Sequence, residues 1–332
     1  MSNNRTDNAL NQKICDLLAD SNQNLVSLEF FPPKTKQGLD NLKDRLGRYK
    51  KVNPLFVDFT WGAGGSTAEL TLDLSIMTKS DFNLLPNMHL TCTNMKINKI
   101  DMALGKCREN NICNIVALRG DPPVGEEKWH SSEGGFTCAL DLVKYIRKTN
   151  GDYFCISVAG YPEGHPDKIE KREFSSLSEA EKERCSFIKN SSEVYVCSDQ
   201  NWEKEMKYLC EKCEAGADII ITQMFFDPKV YGTFVAECRK YGITVPIVPG
   251  IMCINTFKGF ERMTGLCKSR VQKELSERIE LIKDDEKAVK EFGITFGEEL
   301  CRSVLELGAP TLHFYTLNLE KVTVGILEKL DL

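Results

Sequence analysis

The 332-residue chain has no apolar run as long as the roughly 18 residues a membrane-spanning helix needs, so no such helix is expected. Residues 1–20 are polar, with no apolar core ahead of a cleavage site, which argues against a secretory signal. Positive charge is in deficit. The 43 Lys and Arg face 48 Asp and Glu, and a net charge of -5 gives no basic footprint for nucleic acid or an anionic membrane. Histidine is scarce, at four residues, which disfavours a His-rich metal centre. No GxGxxG follows the first apolar run, and GxxxxGK[ST] is missing throughout, which removes the usual signatures of a nucleotide-binding doubly wound sheet.

Cysteine, by contrast, is plentiful at 14 residues. Cys92, Cys155 and Cys253 sit inside apolar runs, where a free thiol behaves as a small hydrophobe. Without a secretion signal, a reducing cytoplasmic compartment is expected. Cys210-Glu211-Lys212-Cys213 has no second pair at zinc spacing and falls in a helical pattern, so it reads as structural.

Apolar runs rich in Val, Ile and Phe occur at 25–31, 56–61, 88–93, 114–120, 153–159, 218–226, 246–252 and 311–317. Helical patterns alternate with them, at 39–49, 97–110, 138–148, 202–215, 230–241 and 294–307. Eight such repeats predict an α/β protein, a single (β/α)8 barrel over 21–332 behind a polar extension at 1–20. A doubly wound sheet is the alternative. Two charged segments interrupt the rhythm, 168–200 with a short helix at 177–184, and 265–289. Both read as insertions on the face of the barrel that carries the βα loops.

In a barrel, the C-terminal ends of the strands converge on one mouth. On the first strand Ser27 and Glu29 share a face, and Leu28 and Phe30 share the other. Glu29 reads either as a general acid raised by apolar surroundings or as a structural carboxylate paired with a lysine such as Lys34. The second run ends Thr60-Trp61-Gly62-Ala63-Gly64-Gly65-Ser66-Thr67, a turn that lets backbone amides approach a ligand or that is simply tight. His89 on the third is a ligand or a satisfied core residue. The fourth stops in Leu118-Arg119-Gly120-Asp121-Pro122-Pro123, two opposite charges at a strand end that the prolines terminate. The fifth brings Tyr161 and His165, the sixth Gln223, and the eighth His313 and Tyr315. The Gln223 amide suits the edge of a heterocycle. Such a mouth is aromatic and poor in metal ligands. It suits flat conjugated rings, and no metal is expected.

These segments resemble the flavin-containing barrel of the methylenetetrahydrofolate reductase family. The matching pieces are Leu28-Glu29-Phe30-Phe31-Pro32-Pro33, Phe59-Thr60-Trp61-Gly62-Ala63, His89-Leu90-Thr91-Cys92, Ala117 to Pro123, Ala159-Gly160-Tyr161-Pro162-Glu163-Gly164-His165-Pro166, Ala215 to Gln223, Val248-Pro249-Gly250-Ile251 and His313-Phe314-Tyr315-Thr316-Leu317-Asn318, in family order. The resemblance implies noncovalent FAD and NADPH or NADH as electron donor, with the motifs leaning to NADPH. It also implies ping-pong reduction of 5,10-methylenetetrahydrofolate to 5-methyltetrahydrofolate, within one-carbon and methionine metabolism. Glu29 falls at the family's general acid, which protonates the leaving nitrogen as the imidazolidine ring opens. Asp121 falls at the aspartate that stabilises the cationic iminium and tunes the flavin. Gln223 and Tyr315 fall at substrate-binding positions. Thr60, Trp61, Ala63, His89, Arg119, Gly120, Asp121, Ala139, Tyr161, His165 and Lys212 fall at FAD-contacting positions. Leu319 stands where bacterial members carry an arginine for the folate's glutamate tail, a task Lys258 or Arg262 would take over. Residues 1–332 show no counterpart of the regulatory domain that binds S-adenosylmethionine in many eukaryotic relatives, so no such feedback inhibition is expected. The expected partners are the folate and the nicotinamide nucleotide, with no nucleic acid and no membrane, and a homo-oligomer is compatible with the sequence.

Overall fold

Every apolar run singled out above contains a strand. The computed structural model describes residues 9–19, 26–62, 67–93, 95–121, 135–189 and 191–332. Ala63, Pro122 and Pro123 lie outside the described residues. The strands are β1 (Val26–Phe30), β2 (Phe56–Phe59), β3 (Pro86–Thr91), β4 (Asn114–Leu118), β5 (Cys155–Gly160), β6 (Ile169–Glu173), β7 (Ser186–Phe187), β8 (Glu193–Cys197), β9 (Ile219–Thr222), β10 (Ile247–Val248), β11 (Gly250–Met252) and β12 (Leu312–Tyr315).

Among the described residues, nine strands form one sheet in the order β10-β9-β5-β4-β3-β2-β1-β12-β11. The strands at the two ends of that order, β10 and β11, are separated in the chain by Pro249 alone. The order therefore closes on itself. It is the topology of a (β/α)8 barrel whose seventh strand, expected as one piece at 246–252, is split. The physical cause is Pro249, which has no N–H to donate to a ladder while its carbonyl accepts from His313 N–H at 3.1 Å.

Parallel register between β1 and β5 decides which side chains share a face. Glu29 lies opposite Asp58, and Asp58 opposite Asn87. His89 lies opposite Val116, and Val116 opposite Ser157. Because side chains alternate along a strand, one face carries Ser27, Glu29, Asp58, Asn87, His89, Thr91 and Ser157. The other face carries Leu28, Phe30, Val57, Phe59, Met88, Leu90, Ile115, Ala117, Ile156 and Val158, all essentially inaccessible to solvent. Helix Lys36–Tyr49 covers that apolar face with Leu42, Leu46 and Tyr49. Its N-terminus is capped by the Thr35 side chain, which accepts from Gly38 N–H. The Tyr49 ring meets Phe30 edge-on at 5.7 Å, and Phe30 stacks with Phe59 at 6.0 Å. Burying one such ring contributes about 2–3 kcal/mol.

Two compact units are present, each assembled from several chain segments. The first comprises Met1–Ala159, Lys212–Ile221 and Tyr315–Asn318. It includes part of the stretch expected as a polar extension. Helix Ile14–Leu18 buries Ile14 and Leu17, and Ile14 N–H donates to Asn114 Oδ1 at 2.8 Å.

The second unit comprises Gly160–Glu211, Thr222–Phe314 and Leu319–Leu332. Residues 168–200, expected to be an insertion with one short helix, hold an antiparallel sheet in the order β6-β8-β7. The helix is there as Glu179–Arg184. It starts after Ser178 because the Ser178 hydroxyl and the Glu181 carboxylate cap each other's backbone N–H groups. Leu177, Cys185, Val194 and Val196 form a small core of their own. The charged stretch 265–289 spans the end of helix Phe257–Cys267, helix Lys273–Leu281 and the start of helix Glu286–Glu306.

Candidate active site

In the first unit the polar face of the sheet gathers a carboxylate, an imidazole and a second carboxylate. His89 Nε2 lies 3.2 Å from Asp58 Oδ2 and 3.5 Å from Glu29 Oε2. Asp58 is fully buried, while the Glu29 side chain keeps 20% of its surface exposed. Burial draws the His89 imidazole down, but the hydrogen bond to Asp58 and the charges of Glu29 and Asp58 outweigh it. The net result is a histidine held above its ordinary value. The sequence offered Lys34 as a counter-ion for Glu29; the structure supplies His89. Asp58 was not singled out from the sequence. Only the parallel register of β1 and β2 puts it on the face of Glu29.

More unmet polarity lies in this unit. Trp61 Nε1, both polar atoms of the Asn87 amide, Thr91 Oγ1 and Ser157 Oγ are buried with no hydrogen-bond partner among the described residues. Orphaned donors and acceptors in an interior are costly unless something polar meets them. An aromatic residue, an amide and two hydroxyls are groups that a flat heteroaromatic ring with carbonyl and ring-nitrogen edges satisfies. The residues present therefore fit a flavin.

At the end of β4 the Arg119 carbonyl accepts from the Thr93 hydroxyl at 2.6 Å and from Thr93 N–H at 2.9 Å. Gly120 follows at φ +88°, and a Cβ there would stand 2.8 Å from both Thr91 Cβ and Thr93 Oγ1. Only glycine fits that conformation and that space. Asp121 stands exposed beyond it. At the end of β2 the Thr67 hydroxyl accepts from Gly62 N–H at 2.7 Å, and the Thr71 hydroxyl donates to the Thr60 carbonyl at 2.9 Å, so Thr60 and Trp61 sit on a tied turn. Ala139 is buried at the first turn of helix Ala139–Asn150, whose N-cap, Cys138, makes no side-chain cap. The N-terminus of a helix favours an anion. Lys212 is buried on helix Asp199–Glu214, with Nζ donating to the Ala159 carbonyl at 2.8 Å. Tyr315 closes β12, half-buried. Just after it, Thr316 Oγ1 donates to the Glu29 carbonyl at 2.7 Å, and the Asn318 amide pairs with both backbone groups of Phe31, at 3.0 and 2.8 Å.

In the second unit the Tyr161 and His165 rings meet at 4.6 Å. His165 Nδ1 accepts from Asp167 N–H at 3.1 Å. Between the two in sequence, Glu163 is buried, and its Oε1 accepts from Arg270 N–H at 2.5 Å. Burial pushes the Glu163 carboxyl up to about 8, against the pull of the Arg270 amide and guanidinium. Gly164 follows at φ +96°, where a Cβ would stand 2.6 Å from Cys197 Cβ. Lys268 Nζ donates to the carbonyls of Pro166 and Ile169, at 2.9 Å each. The loop that carries Tyr161 and His165 is thus fastened to β8 and to the 268–270 segment. Sequence reading missed Glu163 as a buried acid, because its loop of Pro, Gly and His looks exposed. Gln223 N–H donates to the Gly160 carbonyl at 2.7 Å, and its Oε1 accepts from Met224 N–H at 3.0 Å. That bond engages the amide oxygen and leaves the NH2 end of the side chain outside it. The Cys210 thiol donates to the Tyr241 carbonyl, a structural contact. No described helix is long and apolar enough to cross a membrane.

Comparison with known proteins bears on the fold and the family. Among solved structures, an uncharacterised protein from Clostridium thermocellum, whose description states that it binds two copies of 5-methyl-5,6,7,8-tetrahydrofolic acid, shares the fold. The TM-score is 0.59 at 12% identity, covering 96% of this chain and 100% of that one. A probable methylenetetrahydrofolate reductase (NADH) of Oryza sativa subsp. japonica is 48% identical over 97% of this chain and 50% of its own length. Methylenetetrahydrofolate reductase (NADH) 1 of Arabidopsis thaliana is 46% identical over 95% and 50%. A probable methylenetetrahydrofolate reductase (NADPH) of Caenorhabditis elegans is 34% identical over 95% and 43%. The chain thus spans about half the length of the curated relatives it matches. The family model for methylenetetrahydrofolate reductase matches residues 13–331, and with it this chain belongs to the methylenetetrahydrofolate reductase family.

Proposed function

We propose that this chain reduces 5,10-methylenetetrahydrofolate to 5-methyltetrahydrofolate with NADH or NADPH as donor and noncovalent FAD as cofactor. The observation that carries the reading is Glu29 Oε2 standing 3.5 Å from a His89 whose Nε2 is also 3.2 Å from buried Asp58. When bound, FAD supplies the hydride chemistry, accepting from the nicotinamide and donating to the folate. The residues of the chain supply proton handling, charge and position.

Glu29 delivers a proton to the nitrogen that leaves when the imidazolidine ring opens. His89 Nε2, 3.5 Å from Glu29 Oε2, positions that carboxyl. Asp58 Oδ2 meets the same Nε2 at 3.2 Å, so the two carboxylates share one imidazole nitrogen. Asp121 places negative charge against the cationic iminium of the opened folate. Gln223 donates from its amide NH2, and Tyr315 lines the substrate position. Arg119 and Lys212 supply cationic heads for the phosphate and polar groups of FAD, with Thr60, Trp61, Gly120 and Ala139 as further cofactor positions. Neutral His165 accepts at Nδ1, so its Nε2 carries the hydrogen and can donate outward beside the Tyr161 ring. The nicotinamide and the folate are both flat. They take turns on one cofactor face, which is a ping-pong order. Relatives at 46–48% identity carry NADH in their names and the one at 34% carries NADPH, which favours NADH over the NADPH expected from the motifs.

An anaerobic visible-absorbance titration tests the reading. Protein loaded with FAD should bleach with NADH or NADPH, then regain its yellow colour with methylenetetrahydrofolate. Bleaching without recovery would overturn the folate assignment. Failure to take up FAD at all would overturn the flavin assignment.

A further inference from the structure

The strongest unassigned cluster lies at the other end of β5 from Ala159. Cys155 opens that strand, and Cys15 lies on helix Ile14–Leu18. Their sulfurs and a carboxylate oxygen of Asp218 all lie within 4.8 Å of one another. The helix is tied down beside the cluster. Ile14 N–H donates to Asn114 Oδ1, Asn114 Nδ2 donates to the Gln12 carbonyl at 3.1 Å, and the Cys113 thiol reaches the same carbonyl at 3.3 Å.

We infer that Cys15 and Cys155 are a peroxide-reactive thiol pair that closes to a disulfide, a modification site fastening the N-terminal helix to β5. Cys15 is half-buried and open to a small solute, whereas Cys155 is fully buried. That assigns Cys15 as the attacking thiol and Cys155 as the resolving one. The Cys155 thiol beside it pulls Cys15 below the ordinary thiol value, despite burial and the nearby charges of Asp218 and Asp16. Burial drives other cysteines the opposite way. Cys92, Cys107, Cys197 and Cys253 are each pushed up to about 12, which leaves them inert. Asp218 is already committed. Its Oδ2 accepts from Arg147 Nη2 at 2.6 Å and from Ile156 N–H at 2.7 Å, which favours a dithiol over a metal centre here.

The chemistry balances in two steps. The Cys15 thiolate attacks one peroxide oxygen. An S–O bond forms, the O–O bond breaks, and the other oxygen leaves with a proton as water or an alcohol. Sulfur is oxidised by two electrons and the peroxide is reduced. The Cys155 sulfur then attacks Cys15 Sγ. An S–S bond forms, the S–O bond breaks, and hydroxide leaves as water with the Cys155 proton.

The test is stepwise addition of hydrogen peroxide to reduced protein, followed by alkylation of free thiols and peptide mapping. The expected result is a joined peptide pair containing Cys15 and Cys155, lighter by two hydrogens and restored by dithiothreitol, at peroxide levels that leave the other thiols alkylatable. In Cys155→Ser, whose hydroxyl keeps the hydrogen bond to Cys15, the Cys15 sulfenic acid should accumulate and be captured by dimedone. Cys15 advancing to sulfinic acid in the wild type while Cys155 stays alkylatable would overturn the proposal. So would a first disulfide formed elsewhere, or one equivalent of zinc in the purified protein that is lost in Cys15→Ser. None of these readouts depends on the folate reaction.

Discussion

Replacing Glu163 with glutamine should stabilise the protein increasingly as pH rises, which tests whether the buried Glu163 is protonated at neutral pH. In the folded chain burial holds this carboxyl at about 8, against an ordinary value of 4.5. The folded state therefore holds a proton that the unfolded chain releases above 4.5. Its stabilising contribution is complete below 4.5 and is lost as pH rises to about 8. Each unit of separation is worth about 1.4 kcal/mol, so the full loss is on the order of 5 kcal/mol. Glutamine keeps a carbonyl for Arg270 N–H and never ionises. The gap between variant and wild type should widen by about 1.4 kcal/mol per pH unit between pH 5 and 8, then level off. Urea denaturation midpoints for both proteins at four pH values measure it. A gap independent of pH would refute the reasoning. So would a wild type that gains on the variant as pH rises, because Glu163 would then be an ionised partner of Arg270.

Three further outcomes follow from the candidate site. Glu29→Gln should leave flavin reduction by the nicotinamide nearly intact and slow folate reduction by about 10²-fold or more, the usual scale of general acid catalysis; rapid-mixing of the two half-reactions separates them. Equal losses in both would remove Glu29 from the acid role. Asp121→Asn should slow the folate half-reaction, and an unchanged rate would dismiss its electrostatic part. Gly120→Ala should cost about 2–4 kcal/mol in a thermal or urea melt, since it combines a φ of +88° with a Cβ 2.8 Å from Thr91 and Thr93. A melt within error of wild type would show that the turn relaxes freely.

The strands and the polar positions at their C-terminal ends were legible because both rest on local patterns. Apolar runs mark strands, and alternation placed Glu29 opposite Leu28 and Phe30 before any pairing was known. What could not be read was register. Asp58 and Asn87 become partners or neighbours of Glu29 and His89 only when three strands are aligned. The small sheet β6-β8-β7 escaped notice because β7 is two residues long, β6 carries four charges in five residues, and the alternating stretch of β8, Val194 to Val196, is surrounded by charge. Glu163 is a third case: its burial depends on Arg270, more than a hundred residues away in the chain. The break at Pro249 was visible as a residue but not as a consequence, since a proline inside a buried strand matters only through the partner that its missing N–H cannot serve.

The clasp between Asn318 and Phe31 also has a meaning in time. The two residues are 287 positions apart, and Thr316 reaches back to Glu29 across the same distance. At about 5–20 residues per second of synthesis, β1 emerges roughly 15–60 s before the strand that will flank it exists. Throughout that interval one side of β1, with Glu29 in it, is an unpaired edge. The nascent chain therefore carries an open strand edge through most of its synthesis, and the residue proposed to do the chemistry is among the last to be locked in place.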